Sequence, residues 1–224
     1  MSIGKTLEFT KKKANFLQLW VGGCIITKNI VEVYPMKHVI QRKYSYIPYP
    51  FRPENPEKPG NVRRNGCCLC SACMIVDQLT TKEFPVKDAV KLALDVKANH
   101  ATGTDVMIFG PAVAEKFDLE FKPTDDIYEA IEAVRDGGRV MLRVSNRHAC
   151  NKGIFTVSGH YMVMVSATKE EVCILDPNWS VKKYKKWADL GYVKMKDRFL
   201  YTTPEILHNE GIQGLPRYYI FRRK

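Results

Sequence analysis

The hydrophobic pattern changes period partway along this chain. From Cys67 to about Leu79 the residues are small or apolar with no Pro or Gly, which predicts a mostly buried helix entered through Gly66. Val86, Ala89, Val90 and Ala93 recur at helical spacing, and Pro111 to Phe117 reads as the start of another helix, with proline at a tolerated early position. A further helix over Asp126 to Asp136 is stopped by Gly137-Gly138. From Arg139 onward strands take over: Val140 to Val144, Tyr161 to Ala167, Val172 to Leu175, Val181 to Tyr184 and Tyr218 to Arg222. Helices first and an antiparallel sheet second predict an α+β fold.

Two of these strands carry chemistry. His160 opens the run Tyr161 to Ala167, and Asp176 follows Val172 to Leu175, sixteen positions later. The polar stretch Thr168-Lys169-Glu170-Glu171 between them predicts a β-hairpin, which folds its two ends together and brings the imidazole within reach of the carboxylate. A histidine oriented by a carboxylate is a general base. The nucleophile to match it is Cys67, at the N-terminus of the predicted helix, where unpaired amides and the helix dipole favour a thiolate and Arg63 and Arg64 act in the same direction.

The string Gly66-Cys67-Cys68-Leu69-Cys70-Ser71-Ala72-Cys73-Met74-Ile75-Val76 resembles the Gly-Cys-Gly-Pro-Thr-Ser-x-Ala-Met-Val segment of papain-like cysteine peptidases of the C39 type. Gly159-His160-Tyr161-Met162-Val163-Met164-Val165 is similar to their Gly-His-Tyr-Val-Val-Val strand, and Asp176-Pro177 to the Asp-Pro that ends it. The stretch Asp126 to Leu142 is similar to the helix and strand that precede the histidine. The resemblance covers roughly residues 60 to 180. It implies a papain-like fold, with the nucleophile on a helix and the base on an antiparallel sheet, and the roles of nucleophile for Cys67, base and acid for His160 and orienting group for Asp176. The family pattern also supplies a Gln before the Cys as oxyanion donor. The stretch Pro48 to Gly66 contains none, and Asn61, whose amide also donates, is the expected substitute, with Asn55 and Asn65 as rivals.

With 224 residues and 45% hydrophobic content the chain is long enough for one domain with a substantial core. The expected organisation is an N-terminal arm and proline-rich connector over 1–58 and the peptidase domain over 59–224. The connector, Tyr46 to Pro56, is placed to lead across the cleft and line a substrate groove. Basic clusters at Lys11-Lys12-Lys13, Arg63-Arg64, Lys182 to Lys186 and Arg222-Arg223-Lys224 produce a net charge of +11. Without zinc-finger spacing, an aromatic RNP string or a helix-turn-helix, that charge does not make nucleic acid the expected partner. Four of the seven cysteines crowd into positions 67 to 73, along one predicted helix where they cannot form a disulfide framework, so reduced thiols are expected. Cys70 and Cys73 with His148 and Cys150 are the one candidate metal set, but packing roles fit these cysteines better, so neither metal nor cofactor is expected.

Lys11-Lys12-Lys13 followed by Ala14 to Ile26 resembles a signal segment with a Val-Gly-Gly-Cys lipoprotein site at Cys24, but Asn15, Gln18 and Trp20 interrupt it and it is too short to span a membrane. A cytoplasmic location is expected, with export or lipid anchoring through the Cys24 region as the alternative. C39 relatives often trim double-glycine leader peptides. The membrane and nucleotide-binding parts of transporter-linked relatives do not occur in this sequence, so a stand-alone enzyme acting on a peptide or protein substrate is the expectation. The competing readings are a peptidoglycan amidase or acyltransferase using the same residues, and a degenerate binding module.

Overall fold

The computed structural model describes residues 18–21, 24–27, 36–50, 60–100, 103–149, 151–212 and 216–224. The chain divides into two compact units, Met1–Met36 and Lys37–Lys224. In the first, β1 (Gln18–Val21) pairs antiparallel with β2 (Cys24–Thr27). The proline-rich residues 51–59 and the side chains around Cys24 lie outside the described residues, and so do the groove-lining and anchoring expectations attached to them.

The second unit is built on a fully antiparallel seven-stranded sheet. Its strands are β5 (Leu119–Thr124), β6 (Arg139–Ser145), β7 (Gly159–Ala167), β8 (Val172–Leu175), β9 (Lys194–Lys196), β10 (Phe199–Thr202) and β11 (Tyr218–Arg223). Across the sheet they run β5-β11-β6-β7-β8-β10-β9, so β7, which carries His160, is central. A two-stranded ribbon, β3 (Asn99–His100) with β4 (Gly103–Thr104), lies among the helices in sequence. The helices are α1 (Val62–Asn65), α2 (Cys67–Leu79), α3 (Val86–Asp95), α4 (Val106–Phe117), α5 (Ile127–Arg135), α6 (Val181–Asp189) and α7 (Pro204–Asn209). Four helices precede the first strand of this sheet, and α5, α6 and α7 fall between its strands; helices with one antiparallel sheet make an α+β fold.

Alternation along β6, β7 and β11 explains the layering. Val140, Leu142, Met162, Met164, Tyr218 and Ile220 share one face and form a core with Ile127, Ile131 and Val134 of α5 and Tyr184 of α6. On the other face α2 packs, with Cys68 Sγ 3.7 Å from Met141 Sδ. Every residue of α2 from Cys68 to Val76 is buried, as its continuous apolar run demands.

Two helix readings change. Val181–Tyr184 is the first turn of α6, not a strand. Ser180 caps it by accepting from Lys183 N at 3.2 Å, and Tyr184, Trp187 and Ala188, at helical spacing, face the core. A four-residue run is too short for its period to separate strand from helix. The helix expected to start at Pro111 begins instead at Val106, behind an Asp105 cap that accepts from Met107 N at 2.9 Å, and Pro111 is accommodated inside it.

Candidate active site

Cys67 is the first residue of α2 and is only partly buried, whereas Cys68, Cys70 and Cys73 are closed off from solvent. Its placement depends on Gly66. A Cβ there would lie 2.4 Å from Val62 Cγ1 and 2.7 Å from the Val62 carbonyl oxygen, so only glycine lets α1 turn so tightly into α2. The Cys67 sulfur faces the imidazole of His160 and accepts from the backbone N–H groups of Tyr161 and Cys68. Burial alone would push this thiol up. His160 and the two amides outweigh burial and bring it below its ordinary value. The neighbouring thiols have no such partners: burial pushes Cys68 and Cys70 well up, and Cys73 to about 12.

The hairpin forms as predicted. Thr168 closes its turn, with its N–H donating to Glu171 O at 2.8 Å and its hydroxyl accepting from Glu171 N at 3.0 Å. The hairpin alone, however, would not have joined His160 to Asp176. Next to the turn, Ala167 pairs with Val172 and Ser166 with Cys173; carried on, that register sets Asp176 opposite Val163, on the face away from His160. A β-bulge at Val165 adds one residue to β7, so Met164 pairs with Ile174 and Val163 with Leu175. Asp176 then falls opposite Met162, on the His160 face and diagonal to it. His160 Nε2 meets Asp176 Oδ1 at 2.5 Å, both side chains buried. With Nε2 engaged there, Nδ1 is the nitrogen left for Cys67. Burial works against a charged imidazole, but Asp176 and the bond to Cys67 overcome it and raise His160 to about 9.

Asp176 is saturated with donors. Besides His160, Oδ1 accepts from Asn178 N at 2.7 Å, and Oδ2 accepts from Lys183 Nζ at 2.7 Å and the Tyr184 hydroxyl at 2.6 Å. Burial would raise this carboxyl; the charges of His160 and Lys183 reverse that and hold it well below the usual carboxylate range. Lys183 and Tyr184 are sequence neighbours on the first turn of α6, so one helix start supplies both.

Residues 37–44, ahead of the connector, brace the same turn. His38 Nε2 donates to Asp176 O at 2.7 Å, Gln41 N to Pro177 O at 2.9 Å, and the Arg42 guanidinium to Asn178 O and Trp179 O at 3.2 and 2.6 Å. This brings Gln41 into the site. Its buried amide donates to Arg63 O at 2.9 Å through Nε2, which leaves a second N–H, and the side chain lines the cleft with Cys67 and His160.

Asn61 is the oxyanion donor expected from the sequence. Asn61 caps α1, its Oδ1 accepting from Arg64 N at 3.2 Å, and it is not among the residues lining the cleft. An Asn directly before a helical turn satisfies an orphan amide, and that local demand outranks a role in the cleft. Gln41 stands upstream of the stretch Pro48 to Gly66, separated from Cys67 in sequence by the proline-rich connector. The sequence upstream of Cys67 contains two glutamines, Gln18 and Gln41.

The cleft beside Cys67 has a volume of about 360 Å³. It is lined by Gln41, Arg64, Cys67 and His160, by residues between Gly153 and Gly159, and by Asn178, Lys183 and Trp187. Trp179, which resembles a shielding aromatic, packs against the core, and it is Trp187 that borders the cleft. Among the described residues no group of three or more His, Cys, Asp or Glu side chains is arranged to hold a metal ion, and no helix is long and apolar enough to cross a membrane. Cys150 lies outside the described residues.

An α+β unit with a partly exposed cysteine at a helix start, facing a carboxylate-bound histidine on an antiparallel sheet, is the arrangement the sequence resemblance implied. Among solved structures the chain is similar to the peptidase domain of Streptococcus ComA, a bifunctional ABC transporter involved in a quorum-sensing pathway. That match has a TM-score of 0.48 and 13% identity, over 72% of this chain and 93% of the other. It is similar also to a Bacillus anthracis protein assigned as a C39-like peptidase, with a TM-score of 0.45 and 15% identity over 71% of this chain and 90% of that one. No family model matches the sequence, and no curated protein matches it.

Proposed function

We propose that this chain is a thiol-dependent hydrolase of peptide or related amide bonds. The observation that carries the reading is the partly exposed Cys67 sulfur facing His160, whose Nε2 is bonded at 2.5 Å to the buried Asp176. The lowered thiol and raised imidazole favour a thiolate-imidazolium pair, the reactive form of a cysteine nucleophile. In the proposed sequence Cys67 Sγ attacks the carbonyl carbon and the C–O π electrons move onto oxygen. His160 then passes its proton to the amine as the C–N bond breaks, leaving a thioester. Water attacks the thioester while His160 takes up its proton, and the acyl group departs as a carboxylic acid, restoring the thiol pair. Asp176 keeps the imidazole charged and turned toward Cys67. The free N–H of Gln41 and the backbone N–H of Cys67, unpaired at the helix start, are the donors suited to the developing oxyanion.

The test is alkylation with iodoacetamide near pH 6, where an ordinary thiol is almost wholly protonated. Cys67 is expected to react at least about tenfold faster than a free thiol, with Cys67→Ala abolishing the fast phase and His160→Ala reducing it to the free-thiol rate. Labelling no faster than a free thiol, or indifferent to His160, would sink the proposal.

A further inference from the structure

We infer that the cleft selects peptides that carry a carboxylate close to the scissile bond, and that Arg64 is the residue that reads it; this rests on the hydrolase reading above. The charges of the cleft point that way. Apart from Cys67 and His160, the ionisable side chains lining it among the described residues are Arg64 and Lys183, with no Asp or Glu in the lining. Lys183 is already committed to Asp176 at 2.7 Å. In the reactive state the thiolate, the imidazolium, the Asp176 carboxylate and the Lys183 ammonium sum to zero. Among the described residues Arg64 remains as one positive charge in the cleft without an acidic partner. Among the described residues it enters no ion pair, a state it shares with other exposed cations such as Arg63 and Lys182, but it alone of these lines the cleft.

Its position is fixed where it needs to be. Arg64 stands three residues before Cys67 on the single turn α1, with its N–H held by Asn61 Oδ1 at 3.2 Å and Asn61 O at 3.0 Å, so its backbone is anchored while its side chain is exposed. A guanidinium so placed offers a forked donor to a carboxylate, which a lysine or a neutral amide would match less well. Other residues lining the cleft fit an extended peptide. Thr156 and Ser158 offer hydroxyls, and Val157, 87% exposed at the rim, offers an aliphatic surface that nothing in the described chain covers. The carboxylate has two possible sources in a peptide, an Asp or Glu side chain and a free C-terminus.

Two measurements test this. First, Cys67 alkylation is compared with iodoacetate and iodoacetamide, which differ in charge; the ratio of their rates reports the field at the sulfur and needs no peptide cleavage. Arg64→Ala is expected to lower the ratio about threefold and Arg64→Glu by about tenfold or more. Second, kcat/KM is measured on end-blocked peptides with Asp or Glu, Asn or Gln, or Lys flanking the cleaved bond, and on matched pairs with free and amidated C-termini. The acidic set or the free-acid set is preferred by wild type, which identifies the source of the carboxylate. Arg64→Glu shifts the preference toward Lys, and added salt weakens both preferences. Fast Cys67 labelling with a ratio unmoved by Arg64→Glu overturns this inference alone, as does cleavage indifferent to charge. Slow labelling by both reagents overturns the hydrolase reading and this inference with it.

Discussion

The two nitrogens of His160 divide the chemistry between them. Nε2 is bound to Asp176 Oδ1 at 2.5 Å, which leaves Nδ1 for the thiol, so the carboxylate controls both the charge and the direction of the ring. Asp176 itself is held by Lys183, Tyr184 and the Asn178 amide. Asp176→Asn keeps the shape but removes the charge, leaving the partly buried Lys183 ammonium without its partner. The variant is expected to lose about 3 kcal/mol of stability in urea unfolding. Its fast Cys67 labelling should fall by at least about tenfold, because His160 drops from about 9 toward its ordinary value. Wild-type stability in this variant would mean that the carboxylate does not hold the site together. Cys67, His160 and Asp176 were legible in the sequence because each stands at the end of an element whose period can be read. His38, Gln41, Lys183 and Tyr184 were not. Their roles come from where the segment 37–44 and α6 come to rest on the turn after β8, and nothing local in the sequence encodes that contact.

At the level of elements, the site is a convergence of three starts: the N-terminus of α2, the N-terminus of α6 and the first residues of β7. The hairpin between β7 and β8 was readable from its alternation and polar turn. The bulge at Val165 was not, because an inserted apolar residue inside the run Met162-Val163-Met164-Val165 leaves no mark in the sequence. That one residue nevertheless decides on which face Asp176 emerges. The start of α6 was hidden for another reason. Val181 and Tyr184 flank two lysines, a run too short to fix a period, and the helix shows itself only when Trp187 and Ala188 are read with Tyr184 as one face. Because α6 delivers Lys183 to the carboxylate, it also sets the working range of the base. Lys183 opposes the charge on His160, so Lys183→Gln is expected to raise His160 above about 9 and move the alkaline limb of the pH-rate profile upward, whereas Asp176→Asn moves it downward. Opposite shifts in kcat/KM against pH would verify the arrangement; shifts in the same direction would contradict it.

For the molecule as a whole, ionisation at the site is linked to folding through the protons each state binds. Taken alone, His160, raised from 6.5 to about 9, contributes stability that is complete below pH 6.5 and is lost as pH rises through 9. Cys67, lowered from 9.0, contributes stability that grows as pH rises toward 9 and is complete above it. Where the folded pair holds its single proton on the imidazole and the unfolded pair holds a single proton on the thiol, the two slopes oppose each other. On the acid side Asp176, depressed from 3.8, contributes stability that is present above that pH and lost as pH falls below it. The wild-type protein should therefore show a shallower pH dependence of stability between pH 6.5 and 9 than His160 alone would produce. Cys67→Ser removes one of the opposing slopes and keeps Asp176, the larger of the two influences that raise His160. Its stability should then fall by up to about 1.4 kcal/mol per pH unit across the interval. In the double variant Cys67→Ser, Asp176→Asn that slope should vanish. Urea unfolding at pH 6.5, 7.5 and 8.5 measures all three. A flat profile for Cys67→Ser alone would mean that His160 is uncharged in the folded protein, and the thiolate-imidazolium pair would lose its basis.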